Sequence, residues 1–215
     1  MKKPTKHIVF IKKPGRKSIN AFITDQRENT FSYEEVGSTR RLEKEKKKLS
    51  KDYRLAHYRF VLGRGENIYA HAKEALRQWK CFDLDWVQLC WPETIAAVGT
   101  DLAILGNSLG LWLINAVRIL DVFDEQTTDH RFGFAMGTLP DHMIVGEERM
   151  QVIWNQEEDL VYYDLCSFSR KQRWLAKMGA LHVHRMQKLF ALESGLAMQR
   201  AVDHMKKEAI NSTEN

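Results

Sequence analysis

The stretch that decides the reading of this chain is Arg131-Phe132-Gly133-Phe134-Ala135-Met136-Gly137-Thr138-Leu139-Pro140-Asp141-His142-Met143-Ile144-Val145-Gly146-Glu147-Glu148-Arg149. Its first half alternates: Phe132, Phe134 and Met136 fall on one side, and Arg131, Gly133, Ala135 and Gly137 on the other. That is the period of a strand with one apolar face. Gly137, Pro140 and Asp141 then predict a turn. A second strand opens near Glu147 and runs through Met150, Val152 and Trp154. The whole is a β-hairpin whose connection carries His142. The adjacent carboxylates Glu147 and Glu148 point to opposite faces of the return strand, so they are not a paired acid and base.

Outward from this hairpin the pattern stays β. Tyr58–Leu62 alternates and ends at Gly63-Arg64-Gly65. Ile68, Ala72, Ala75, Leu76 and Trp79 then share one helical face. The Gly-x-Gly pair lacks the third glycine of a dinucleotide loop, because Ile68 stands there, so it is a tight strand-to-helix turn. Trp86–Trp91, Thr100–Leu105, Leu111–Phe123 and Leu160–Phe168 are further strands joined by short turns, which favours an antiparallel meander. Beyond Arg170 the period changes. Trp174, Met178, Leu181, Met186, Leu189, Phe190, Ala197, Ala201 and Met205 recur at helical spacing. They predict one helix over about 171–207, roughly 50 Å long, with a bend at Gly179.

The 215 residues are 44% hydrophobic, enough for one large domain with a real core. No apolar run reaches the length of a membrane span, so no stable membrane insertion is expected. Ile8–Ile11 is too short for the core of a signal peptide, which makes the cytoplasm the expected location. The net charge of +5 is concentrated in Lys44–Lys51, a solvated linker rather than a nucleic-acid-binding face. Cys81, Cys90 and Cys166 lack metal-ligand spacing and read as buried thiols. No HExxH, Gly-x-Ser-x-Gly or P-loop is present, and no cofactor or metal is expected. Ile8–Ile11 and Ala21–Ile23 flank Pro14-Gly15 and are open to two readings, a small hairpin or a flexible arm. The chain divides on this reading into an N-terminal extension and charged linker over 1–51, a domain over 52–207 and a disordered tail over 208–215.

The fold class expected is α+β, with a curved antiparallel sheet of six to seven strands wrapped on a long C-terminal helix. This helix-grip order resembles the START-like superfamily, which includes the birch-pollen allergen type. A closer resemblance rests on particular residues. Phe31-Ser32-Tyr33-x-x-Val36-Gly37-x-Thr39-Arg40, Leu62-Gly63-Arg64-Gly65-Glu66 and Leu109-Gly110-Leu111-Trp112 are similar to segments of the uncharacterised protein family 0548. So is Gly133-Phe134-Ala135-x-Gly137-Thr138-Leu139-Pro140-x-His142 followed by Gly146-Glu147-Glu148, the most specific segment. The resemblance covers about Phe31 to Val202. It departs at Met136, where tyrosine is frequent, at Asp141, where glycine is frequent, and in the longer Lys44–Lys51 run. It implies the helix-grip fold and carries no activity with it.

The strand faces then nominate a site. Trp112, Ile114, Ala116, Arg118 and Leu120 share one face. Glu148, Met150, Val152 and Trp154 share another, and Val161, Tyr163 and Leu165 a third. If these faces line the grip, Arg118 and Glu148 are opposite charges among apolar groups and form a pair. A salt bridge at the sheet rim, or faces turned to water, is the structural alternative. The reading adopted is a protein that binds an apolar or amphipathic acidic small molecule between sheet and helix. Arg118 meets the acid, Trp112, Phe134 and Trp154 line the apolar part, and Glu148 and Tyr163 add polar contacts. Two alternatives stand beside it. One is an enzyme of cyclase or hydrolase type with Glu148 or His142 as base and Tyr163 as donor. The other is an interaction module with a filled core. A raised pKa at Glu148 favours the enzyme, and a closed grip favours the module.

Overall fold

The computed structural model describes residues 8–41, 49, 51–172 and 180–213. Most of the Lys44–Lys51 run, together with Trp174 and the expected bend at Gly179, lies outside them. In chain order the elements are β1 (Val9–Phe10), α1 (Arg16–Gln26), β2 (Arg54–Arg64), α2 (Glu66–Arg77) and β3 (Val87–Leu89). There follow β4 (Asp101–Ser108), β5 (Leu111–Gln126), β6 (Asp129–Thr138), β7 (Ile144–Asn155), β8 (Leu160–Lys171) and α3 (Ala180–Thr213). The sheet is antiparallel with order β2-β8-β7-β6-β5-β4-β3, and it curls around α3. It is a helix-grip fold, as the alternating segments and the C-terminal helical period predict. The decisive hairpin is β6–β7, which pairs Met136 with Glu148 and Phe134 with Met150. Asp141, where glycine is frequent in the family resembled, has φ +70°, the left-handed conformation a glycine adopts freely.

The concave face carries the main core. Leu62, Phe134, Met150, Val152, Val161, Tyr163 and Leu165 pack there with Leu76 of α2 and Met198 and Val202 of α3. Trp79, just past α2, lies 4.7 Å from Phe134, ring centroid to centroid. The three cysteines are buried and form no disulfide.

The convex face is also covered, and this departs from the sequence reading. The described residues 8–41 are not an appendage but pack on this face. The N-terminal segment forms neither a hairpin nor a free arm. β1 pairs with β5 at Leu113 and Trp112, where β6 has not yet begun its own pairing. α1 buries Ile19, Phe22 and Ile23 against Ala103, Leu105, Ile114 and Ala116. The strand β5 is therefore apolar on both faces, and its alternation does not say which face is inward. Trp112, Ile114, Ala116 and Arg118 do share a face, but it is the convex one. The Arg118 guanidinium meets Asp101 at 2.6 and 3.0 Å and donates to the carbonyls of Gln26, Arg27 and Asn29 at the end of α1. The expected Arg118–Glu148 pair does not form, because the sheet lies between them.

The segment after α1 explains the first family-like motif. The Glu147 carboxylate, on the convex side of β7, accepts hydrogen bonds from Tyr33 Oη at 3.0 Å, Gly37 N at 2.7 Å, Thr39 N at 2.8 Å and Thr39 Oγ1. A Cβ at Gly137 would collide with Tyr33 Oη and the Phe31 ring, so only glycine lets this segment lie flat on β6. The motifs at Phe31–Arg40 and Gly133–Glu148 are two halves of one clasp.

At the C-terminus β8 extends to Lys171, where the helix was expected to begin, and α3 runs to Thr213, beyond the expected end. Residues 208–213 are thus helical rather than tail.

Candidate functional site

Among the described residues the grip is not filled along its length. Between α3 and one end of the concave sheet lies a cavity of about 430 Å³. The strand register shows where it stops. On β7 Ile144, Gly146 and Glu148 line it, while Met150 and Val152 beyond them are wholly buried in core. On β5 Leu113, Asn115 and Val117 line it and Ile119 does not; on β6 Met136 and Thr138 line it and Phe134 does not. On β8 Leu165, Ser167 and Ser169 line it and Tyr163 does not. The row Met136–Glu148–Ser167, with Leu165 one step beyond it on β8, is therefore the inner end. The other end lies toward the β4–β5 hairpin, the β6–β7 turn and the start of α3. The far wall is Met186 and Phe190 of α3 with Phe82 and Trp86. Trp86 is anchored by its Nε1, which donates to Glu193 at 2.6 Å.

The walls are mostly apolar, so the polar groups stand out. Glu148 makes no hydrogen bond or ion pair with any described residue, and burial alone pushes its carboxyl up to about 7. The acid therefore binds a proton in the folded state between pH 4.5 and about 7 that the unfolded chain has released. Stability falls as pH rises through that window, by a cost on the order of 3 kcal/mol. Glu148→Gln is expected to be about 1–3 kcal/mol more stable than wild type at pH 8 and nearly equal at pH 4. Urea unfolding at the two values checks this, and equal stabilities at pH 8 would show a well-solvated carboxylate.

At the other end His142 accepts a hydrogen bond at Nδ1 from Ile144 N at 3.1 Å. Its burial lowers its pKa to about 4, so the ring is neutral at pH 7 and carries its proton on Nε2. Asn115 accepts from Met143 N at 3.1 Å through Oδ1, which leaves its NH₂ without a partner among the described residues. Arg54 faces the same end from β2, because Arg54 pairs with Ser169 and Ser169 with Gly146. Ser108 Oγ and His182 Nε2 meet at 2.7 Å and join the β4–β5 hairpin to α3.

Of the residues nominated from sequence, Glu148 and His142 line the cavity. Phe134 and Tyr163 lie beyond its inner end and are wholly buried; Tyr163 Oη meets Ser194 Oγ at 2.8 Å. Trp154 packs on Tyr69 and His130 farther along the sheet, and its Nε1 donates to Asp159. Trp112 and Arg118 are on the convex face. Sequence reasoning missed Asn115, Arg54, Trp86, Met186 and Phe190. Asn115 had a signal, as the polar residue inside the apolar run Leu111–Val117. The opposite choice of face for β5 would have found it.

Fold and site together define a helix-grip protein with an internal, largely apolar cavity. A model of the family described as Domain of unknown function (DUF1990) matches residues 32–197, and the chain belongs to that family. A UPF0548 protein of Dictyostelium discoideum is 34% identical over 203 residues, covering 89% of this chain and 94% of that one. A UPF0548 protein of Arabidopsis thaliana is 30% identical over 165 residues, covering 74% of this chain and 79% of that one. Among solved structures the chain is similar to Ara h 8.0201, at 10% identity and a TM-score of 0.46, over 70% of this chain and 97% of that one. Among the described residues no helix is long and apolar enough to cross a membrane.

Proposed function

We propose that this protein binds an amphipathic acidic small molecule in the cavity between sheet and α3. The observation that carries the reading is the cavity itself. It has the size and apolar lining of a small-molecule site and a few convergent polar groups. An interaction module with a filled grip would have side chains where this space lies. The acid end of the ligand sits at the outer end, where Arg54, the Nε2–H of His142 and the NH₂ of Asn115 are donors. Arg118, committed to Asp101 and three carbonyls on the other face, takes no part. The hydrocarbon lies along Leu113, Val117, Met136, Leu165, Met186 and Phe190.

Medium-chain and aromatic acids are expected to bind with micromolar affinity, about −8 kcal/mol. Binding changes the fluorescence of Trp86 and raises Tm in proportion to ligand concentration above Kd. Asn115→Leu and Arg54→Met are expected to weaken acids at least fivefold and to leave neutral analogues unchanged. A panel of acids and neutral analogues that moves neither signal refutes the reading.

One observation favours a second reading, in which the cavity is an active site. Glu148, with a carboxyl pKa near 7, exchanges a proton at neutral pH, as a general acid or base must. Tyr163, being sealed from the cavity, is not its partner. Ligand turnover lost in Glu148→Gln while binding persists would establish this reading in place of the first.

A further inference from the structure

Resting on the binding reading above, we infer that the ligand carries a second polar group, a hydrogen-bond donor such as a hydroxyl or protonated amine, at the end opposite its acid. Glu148 is the recognition residue for that group. The cavity is polar at both ends and apolar between. Its outer end offers donors without a partner among the described residues: His142 Nε2–H, Asn115 NH₂ and the Arg54 guanidinium. Its inner end offers an acid, Glu148, that is deep, aimed into the cavity and unpartnered among the described residues. Its strand neighbours Met136 and Ser167 supply no bond to it. A simple fatty acid would lay its methyl end against this carboxyl and leave it unpaired, or force it to stay protonated. A donor at that point completes the site.

The register gives the spacing. His142 is tied to Ile144, and Glu148 stands four positions beyond Ile144 on β7. On β5 Asn115 stands four residues before Ile119, which pairs with Met136 opposite Glu148. Both counts place the two polar ends about 13 Å apart. A hydrogen bond of about 3 Å at each end leaves roughly 7–8 Å between the ligand's own polar groups. That is the span of a linear chain of six to eight carbons, and the cavity holds such a molecule. The other basic side chains in the lining, Lys188 and the histidines of α3, come from the helix side, and no described residue bonds or pairs with Glu148.

The test titrates the full-length protein with hexanoic, octanoic and decanoic acids, their ω-hydroxy and ω-amino derivatives, and the matching α,ω-dicarboxylic acids. The ω-hydroxy and ω-amino acids of best length are expected to bind about tenfold tighter than the parent acid, and the dicarboxylic acids weaker than the parent at pH 8. Glu148→Leu is expected to abolish both preferences while keeping affinity for the parent acid. Glu148→Gln, whose amide still accepts a hydrogen bond, is expected to keep the hydroxyl preference and lose the amine preference. Parent acids that bind with no ω-donor preference, or a preference that survives Glu148→Leu, overturn this inference and leave the binding reading intact. No binding by any member overturns both.

Discussion

Glu147→Ala is expected to lower the unfolding free energy by about 3–5 kcal/mol, enough to leave a domain of ordinary stability marginal. The carboxylate lies under the segment 33–39 and collects Tyr33 Oη, the backbone amides of Gly37 and Thr39, and Thr39 Oγ1. Removing it leaves two amides and two hydroxyls facing a gap, each costing about 1–3 kcal/mol when unsatisfied in the interior. The loss also frees the strap that carries α1 onto the convex face, so β5 is exposed on that side. Tyr33→Phe and Thr39→Val each remove one donor and should cost about 1 kcal/mol, with effects that are not additive to Glu147→Ala. Urea denaturation of the four proteins checks this. A loss under about 1 kcal/mol for Glu147→Ala would mean that the strap contributes nothing to global stability.

Asp164→Ala is expected to cost a similar amount, about 3–5 kcal/mol, through charge rather than capping. Asp164 is wholly buried on the convex side of β8. It meets His57 at 2.7 Å, Gln151 at 2.9 Å, Arg59 at 3.0 Å and Arg149 at 3.5 Å. Burial alone would raise its pKa, but hydrogen bonds from His57, Gln151 and Arg59 outweigh it and hold the carboxyl well below the usual carboxylate range. Its contribution is therefore fully present above pH 4 and is lost as pH falls through the depressed value. His57 is shifted the other way, chiefly by its hydrogen bond to Asp164. Its share is present below the unfolded histidine value near 6.5 and disappears as pH rises through the raised folded value. Asp164→Asn should return the His57 titration, followed by NMR, toward 6.5. An unchanged His57 titration in that variant would contradict the pairing.

The contrast among the carboxylates shows how far the sequence could be read. Glu147 and Glu148 are neighbours, and strand alternation alone says that they face opposite ways. Glu148 was nominated by its apolar companions Met150, Val152 and Trp154, and the structure places it in the cavity lining. On β5 the same logic chose the wrong face. There Trp112, Ile114 and Ala116 on one side and Leu113 and Val117 on the other are equally apolar, because α1 buries one and the grip the other. Arg118 was matched to Glu148 because both were charges in apolar company, while the true partner, Asp101, sits on the adjoining strand. A charge partner is a fact of register, and one residue of register reverses a face.

What the sequence determined by itself is the helix-grip architecture. Period-two segments closed by turns, a period-3.6 tail and the family-like motifs each reflect local backbone preference and burial, which a linear pattern records. The core around Phe134, Tyr163 and Trp154 was legible as core-forming, but not as core rather than cavity wall. Only the tertiary structure decided that. The grip is as wide as the side chains of α2 and α3 leave it. At one end α2 and Trp79 fill it; at the other α2 is absent and α3 spans the sheet with Phe82 and Trp86, leaving the space that Glu148, Asn115 and His142 face. An empty volume is set by the distances between elements far apart in the chain. No residue type or spacing along it records those distances.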